Sequence, residues 1–161
     1  KDPIFFLRNL INLDKFDKFK IHIIGKGNLL SEMKKISSKY NKNIKFYGYL
    51  RNPLAKLHKI IDLVCVTSKY DGTPNILGEA LSYKIPCLAP TKVGLSDLLF
   101  KNGKFSYLYN PGDNLSFKKQ IINILTNYNL AIKKANKGFE SLERFNKKNT
   151  LIKLEKIINK I

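Results

Sequence analysis

Two carboxylates eight residues apart, Asp71 and Glu79, lie in the segment of this chain whose residue types are best suited to chemistry. The segment, residues 68–80, reads S-K-Y-D-G-T-P-N-I-L-G-E-A, and it leaves an apolar run to enter a helical pattern. Thr73 is predicted to be the helix N-cap, and Pro74 the first helical residue, where a missing N–H costs nothing. The pattern therefore predicts a helix with a well-marked beginning.

The backbone at the start of this helix is expected to bind an anion. The N–H groups of Asn75, Ile76 and Leu77 have no partner inside the helix and lie at the positive end of its dipole. Such a site holds a phosphate without a metal ion. Glu79 lies one turn beyond Asn75, and its carboxylate would repel phosphate but can accept hydrogen bonds from a ribose diol. With Asp71 on sugar hydroxyls, the segment predicts a site for a nucleoside diphosphate sugar.

The same residue types also occur in segments that bind no ligand. Asp, Gly, Pro and Asn form ordinary turns, and a glutamate on a helix surface is usually solvated. From spacing alone, a plain turn followed by a surface helix therefore stays open beside the binding site.

Strand and helix patterns alternate along the whole chain. This order predicts right-handed βαβ crossovers and one Rossmann-like α/β domain over residues 1–161, with a mostly parallel sheet and helices on both faces. Ligands of such sheets bind beyond the carboxyl ends of the strands. The predicted strands are 20–24, 44–47, 63–67, 86–89 and 106–109, and the predicted helices are 3–13, 28–40, 53–61, 74–83, 96–100, 114–127, 129–145 and 148–160.

The segment that ends at Glu79 resembles the E-x7-E signature of retaining glycosyltransferases of family 4, which have the GT-B fold. The resemblance is strongest to members that read E-G-x-P-N-x-x-x-E-A, and it extends over nearly the whole chain in the family's order and spacing. The other matching motifs are I-I-G-K-G at 23–27, K-F-Y-G-Y-L at 45–50, I-D-L-V-C-V-T-S-K at 61–69, I-P-C-L-A at 85–89, V-G-L-S-D-L-L at 93–99 and N-P-G-D at 110–113.

The resemblance implies that this chain is part of a longer enzyme. Members have two Rossmann-like domains facing a cleft, and the chain corresponds to most of the C-terminal, donor-binding one. It begins within the family's G-R-x-x-x-x-K motif, so Lys1 corresponds to the lysine that contacts the donor diphosphate. The arginine, the domain's first strand and the N-terminal acceptor domain are then expected upstream.

The resemblance also implies roles for individual residues. Glu79 corresponds to the residue that holds the donor ribose, and Asp71 to the catalytic-site glutamate that contacts the donor sugar near the reacting centre. Aspartate at 71 departs from the family and shortens the reach by one methylene. The residues implied to bind the substrate are Lys1, Gly48, Tyr49, Leu50, Gly72, Thr73, Asn75, Ile76 and Glu79.

The activity implied is a metal-independent, retaining transfer from a nucleotide-sugar, with a UDP-sugar favoured, to a glycan or lipid-linked acceptor. Neither a cofactor nor a metal ion is expected, and the chain has no D-x-D motif of the metal-dependent type. The alternative is a non-enzymatic module that binds nucleotide-sugars or phosphate. A receiver-type signalling domain does not fit, because Ile24-Gly25 and Thr67-Ser68 supply none of the aspartates it needs at its strand ends.

The net charge of +18 comes almost entirely from lysine, with only three arginines, and is spread evenly along the chain. A nucleic-acid reader would concentrate arginine on one face, so no nucleic-acid partner is expected. The last predicted helix could lie on an anionic membrane, although packing on a domain is favoured. We expect a cytoplasmic protein, with peripheral contact at the inner membrane face left open. The apolar stripe of that helix is Leu151, Leu154, Ile158 and Ile161.

The remaining reactive side chains are interpreted as structural. Cys65 and Cys87 lie in short apolar runs without metal-ligand spacing, which indicates buried free thiols in a reducing compartment. His22 and His58 have no triad context. Tyr47 is expected to pack rather than to stack on a nucleotide base.

Overall fold

A computed structural model describes residues 1–13, 18–40, 43–69, 72, 74–92, 102–145, 151 and 155. Strands alternate with helices through most of this part of the chain. The strands are β1 (Ile21–Ile24), β2 (Ile44–Gly48), β3 (Val64–Cys65), β4 (Cys87–Pro90) and β5 (Tyr107–Tyr109). The helices are α1 (Pro3–Ile11), α2 (Leu30–Ser37), α3 (Pro53–Leu57), α4 (Asn75–Ser82), α5 (Asn114–Thr126) and α6 (Tyr128–Ser141), with 3-10 turns at Ser38–Tyr40, His58–Ile60 and Leu142–Phe145.

In the described part of the chain the strand pairs are parallel, as predicted, but they form two hydrogen-bonded sheets instead of one. β1 pairs with β2, with Ile21 opposite Ile44. The second sheet has the order β3-β4-β5, with Leu88 of β4 opposite Tyr107 of β5. Among the described residues, one side of β1 and one side of β3 have no strand partner.

Side chains that alternate along β4 separate two cores. Leu88 packs into a core with Leu7 of α1 and Phe117 of α5, whereas Cys87 and its neighbour Ala89 face a core with α3 and α4. Helices therefore cover both faces, which confirms the predicted architecture. Residues of β1, β2, β4 and β5 all contribute to the first core, so the two sheets share one packed layer.

Local capping explains where the helices begin. The Asp2 carboxylate accepts the N–H of Phe5 at 3.0 Å, and Pro3 occupies the first turn of α1, as predicted. Asp113 caps α5 in the same way, accepting the Ser116 N–H at 2.9 Å.

Several boundaries differ from the prediction. The predicted helix over 53–61 tightens into a 3-10 turn at His58, and α6 ends at Ser141 before another 3-10 turn. The predicted helix at 96–100 lies outside the described residues. So does most of the predicted helix at 148–160, of which Leu151 and Glu155 are described and helical. Within the described ranges, no helix has the length and apolar character needed to cross a bilayer.

Candidate functional site

The carboxyl ends of β1 and β2 meet through two glycines. The Gly25 N–H donates to the Gly48 carbonyl at 2.7 Å, and both residues have a positive φ, of 134° and 66°. A side chain at either position would strain this backbone, which is why glycine serves there. Tyr49 follows with 69% of its surface exposed, and Leu50 is half-buried. Gly48, Tyr49 and Leu50, which are predicted to bind the substrate, therefore lie together at the edge where ligands of parallel sheets bind.

The beginning of the chain is fastened beside the end of β3. The Asp2 N–H donates to the Thr67 carbonyl at 3.1 Å, and the Thr67 hydroxyl donates to the Asp2 carbonyl at 2.9 Å. The exposed Lys1 thereby adjoins the start of the 68–80 segment. Lys1 therefore lies beside the chain that leaves β3, and its role in binding a diphosphate stays a prediction.

Sequence reasoning missed Lys69. Its ammonium lies 3.3 Å from the carboxylate of Asp2, and both groups sit where the chain leaves β3. Lys69 therefore adds a cation to the edge that holds Lys1. Lys69 could have been noticed in the sequence, because it lies five residues before the predicted start of the helix whose N–H groups are expected to bind an anion.

The start of α4 differs from the prediction by one residue. Pro74 is the N-cap rather than the first helical residue, because its backbone is extended, with ψ of 106°, and Asn75 begins the helix. The predicted N-cap, Thr73, lies outside the described residues. The Leu77 N–H is not free, since it donates to the Pro74 carbonyl at 2.9 Å. Within the described part of the chain, the N–H groups of Asn75 and Ile76 have no acceptor.

Of the two carboxylates of the signature, the structure describes only Glu79. Glu79 is exposed one turn after the exposed Asn75, on the side of α4 that faces away from the core. Gly72 is also exposed, whereas Asp71 lies outside the described residues. The arrangement leaves Glu79 accessible to a ligand at the helix start, and the assigned roles of Glu79 and Asp71 stay predictions.

His22 and Tyr47 form a pair beside this edge. The Tyr47 hydroxyl lies 2.8 Å from Nδ1 of His22, and the two rings stack with centroids 5.6 Å apart. Burial lowers the pKa of His22, and the charges of Lys45 and Lys20 lower it further. Tyr47 is thus a packing residue, as predicted.

The two cysteines are structural, as predicted. Both are free thiols, and Cys87 is buried. Burial raises the pKa of Cys65 to about 12 and also raises the pKa of Cys87. Both groups are protonated at neutral pH, so neither is a ready nucleophile. Nor do any three His, Cys, Asp or Glu side chains in the described ranges lie close enough to hold a metal ion.

Parallel strands with helices packed on both faces define a Rossmann-like domain. The chain belongs to the family of glycosyl transferases group 1, which matches it over residues 1–147. The predicted resemblance to GT-B glycosyltransferases is thereby confirmed. The fold is that of a C-terminal domain of this class.

Individual relatives agree with this assignment. The chain is 30% identical over 105 residues to the lipopolysaccharide 1,6-galactosyltransferase of Escherichia coli K12, a match that covers 62% of the chain and 29% of that protein. The chain thus spans less than a third of the length of that relative.

Two solved structures share the fold. The C-terminal domain of the group 1 glycosyl transferase LpcC from Francisella tularensis has a TM-score of 0.75 at 19% identity, covering 89% of this chain and 78% of that one. Anabaena Alr3699/HepE, solved with UDP and glucose, has a TM-score of 0.79 at 16% identity, covering 98% of this chain and 44% of that one.

Proposed function

We propose that this chain is the donor-binding domain of a metal-independent, retaining glycosyltransferase that transfers a sugar from a UDP-sugar to a glycan or lipid-linked acceptor. The observation that carries the proposal is the pair of hydrogen bonds between Asp2 and Thr67, which brings Lys1 to the segment that leads into α4. Cations and unpaired helix N–H groups then share one edge, which is the arrangement that a diphosphate requires.

The relatives support a UDP-sugar donor. The Escherichia coli relative is a galactosyltransferase of lipopolysaccharide, and a structure with the same fold was solved with UDP and glucose. We place the nucleotide base beside the turn at Gly48 and Tyr49. The Tyr49 ring is exposed and is therefore free to stack on a base.

The chemistry of the site follows from charge. When the donor's glycosidic bond breaks, negative charge develops on the leaving diphosphate. The N–H groups of Asn75 and Ile76, together with the ammonium groups of Lys1 and Lys69, would stabilise that charge. Glu79 would hold the ribose diol and so fix the position of the diphosphate.

The proposal includes a strand and an acceptor domain upstream of Lys1. Among the described residues, β1 and β3 each have an unpaired side, while α1 packs into the core that both sheets share. A parallel strand that preceded α1 and lay between β1 and β3 would pair with both and join the two sheets. The acceptor domain would then face the carboxyl edge.

Calorimetry of the chain with UDP, GDP, ADP and their sugars tests donor binding. We expect weak binding of UDP and UDP-sugars and no transfer by this chain alone. Glu79→Ala should weaken binding at least about tenfold, because it removes two hydrogen bonds to a charged group. Glu140→Ala removes an equally exposed helix glutamate on α6 and is the matched control.

Two results would count against the proposal. If both glutamate variants bind UDP equally well, Glu79 is not in the site. If none of the nucleotides binds, the chain is not a donor domain.

A further inference from the structure

Helix α5 is apolar on two sides. Its core side is fully buried, with Phe117 and Ile124 inaccessible to solvent. Outside this core side, Ile122 is 55% exposed, and Leu125, next to the buried side, is 47% exposed. A helix of a soluble domain usually has one apolar stripe, so the second one indicates a surface that another body covers.

This second stripe lies at the end of the molecule opposite the donor site. Ile122 and Leu125 line a groove of about 210 Å³ with Phe19, which immediately precedes β1. The turn after α5 is held there because the Tyr128 hydroxyl donates to the carbonyl of Asp62 at 3.0 Å, just before β3. Phe19 and Asp62 both lie before the amino ends of strands, whereas the proposed donor site lies beyond the carboxyl ends.

A second cavity, of about 390 Å³, lies along α6, the helix that follows the turn after α5. Leu130, which is 49% exposed, lines it together with four lysines and a single glutamate. The lysines are Lys104, Lys133, Lys134 and Lys137. Residues 114–141 as a whole contain five lysines and one carboxylate, so the surface is both apolar and strongly positive.

Lys134 lies in this cavity without a counter-ion. Its ammonium donates to the carbonyls of Gly103 at 2.8 Å and Ser106 at 3.3 Å and lies 4.6 Å from the centre of the Tyr107 ring. The described residues include no carboxylate within ion-pair distance of it. Burial lowers the pKa of Lys134, as expected for a cation whose charge is not balanced. An anion at this position would balance it.

We propose that this basal surface, formed by Phe19, Ile122, Leu125 and Leu130 with the lysines of the second cavity, docks on the headgroups of an anionic lipid bilayer. Aliphatic and aromatic side chains would enter the acyl boundary while lysines contact lipid phosphates. The donor site at the opposite end would stay open to water.

Charge and residue type favour a bilayer over other occupants. A second copy placed face to face would oppose lysines with lysines, which is unfavourable. The described part of this surface has no arginine and carries exposed aliphatic side chains, unlike a nucleic-acid interface. Lysine side chains are long and flexible, so those around the shallow grooves can reach the mobile phosphates of lipid headgroups.

Tryptophan fluorescence tests insertion without background, because the chain contains no tryptophan. With vesicles of phosphatidylcholine and about 30% phosphatidylglycerol, the emission of Leu125→Trp should move to shorter wavelength as the indole leaves water. Leu115→Trp is the matched control, on the exposed first turn of the same helix near the donor edge. Its emission should not move.

Vesicle sedimentation tests the charges. The double variant Lys133→Glu with Lys137→Glu should bind these vesicles at least about tenfold more weakly, because two positive charges become negative. Lys26→Glu with Lys92→Glu makes the same change at the donor edge and should bind as the parent does. Circular dichroism would verify that each variant is folded.

Three results would overturn the proposal. One is that the parent does not sediment with the vesicles. A second is that both double variants lose binding equally, which means that net charge alone attracts the chain. The third is that polyglutamate shifts the emission of Leu125→Trp whereas vesicles do not. The surface would then bind an acidic protein and not a bilayer.

Discussion

Asp2 and Thr67 hydrogen-bond to each other twice, through the Asp2 N–H and the Thr67 hydroxyl, although 65 residues separate them in the chain. The residue that caps α1 is therefore fastened to Thr67, two residues after the end of β3. Because Lys69 also pairs with the Asp2 carboxylate, this junction gathers two lysines, Lys1 and Lys69, beside the segment that leads into α4.

Thr67→Val should loosen this junction. The variant keeps the side-chain shape but leaves the Asp2 carbonyl without the Thr67 hydroxyl, so we expect the free energy of unfolding to fall by about 1 kcal/mol. UDP affinity should also fall, since Lys1 is held less firmly. Thr126→Val is the control, because the Thr126 hydroxyl donates to the Ile122 carbonyl within its own helix. Urea unfolding and calorimetry measure both effects, and equal UDP affinity in the two variants would contradict the role of the junction.

Asn75→Pro should remove one N–H that we propose to bind the diphosphate, without disturbing the fold. Proline suits the first helical position, and the extended backbone of Pro74 is the conformation that a following proline requires. We expect UDP to bind about ten- to a hundredfold more weakly, because a hydrogen bond to a charged group contributes roughly 1.5–3 kcal/mol. Asn75→Ala removes the side chain but retains the N–H. If both variants bind UDP alike, the N–H group does not contact the diphosphate.

Alanine at two helical glycines should change stability in opposite directions. At Gly138 the new Cβ would lie 2.7 Å from Cδ2 of the fully buried Leu81, so Gly138→Ala should cost about 1–3 kcal/mol of stability through overpacking. At Gly78 the new Cβ would meet no described atom within 4 Å beyond the adjoining residues and the helix's own backbone, and Gly78→Ala should stabilise the protein by about 0.5–1 kcal/mol through helix propensity. Urea unfolding of both variants provides the comparison. A stabilised Gly138→Ala would contradict the close contact between α4 and α6.

His22 should make stability depend on pH. Its pKa in the folded protein lies below the ordinary 6.5, so the unfolded chain binds more protons between these two values. The free energy of unfolding should therefore decrease as the pH falls through 6.5, and the decrease should level off below the folded pKa. Lys45→Ala, which removes one of the causes, should raise the folded pKa and flatten this dependence.

NMR titration of the His22 ring reports its pKa directly, and urea unfolding at several pH values reports the stability. Lys56→Ala, on the exposed side of α3, is the control. A pKa of His22 above 6.5, or an equal effect of both lysine variants, would contradict the assigned cause.

The sequence by itself determined the features that depend on neighbouring residues. The α/β alternation, the beginning of α1 at Asp2 and Pro3, and the buried thiol positions follow from periodicity and capping within a few residues. The candidate site could also be predicted in this way, because Glu79 and the start of α4 lie within one short segment.

Only the tertiary structure decided which distant residues meet. The split into two sheets, the junction of Asp2 with Thr67 and the cavity around Lys134 join parts of the chain that no local pattern relates. Periodicity likewise shows that α5 has apolar residues on two sides but cannot tell which side is buried. Burial depends on which other elements fold against the helix, and that is a property of the packed chain rather than of any segment.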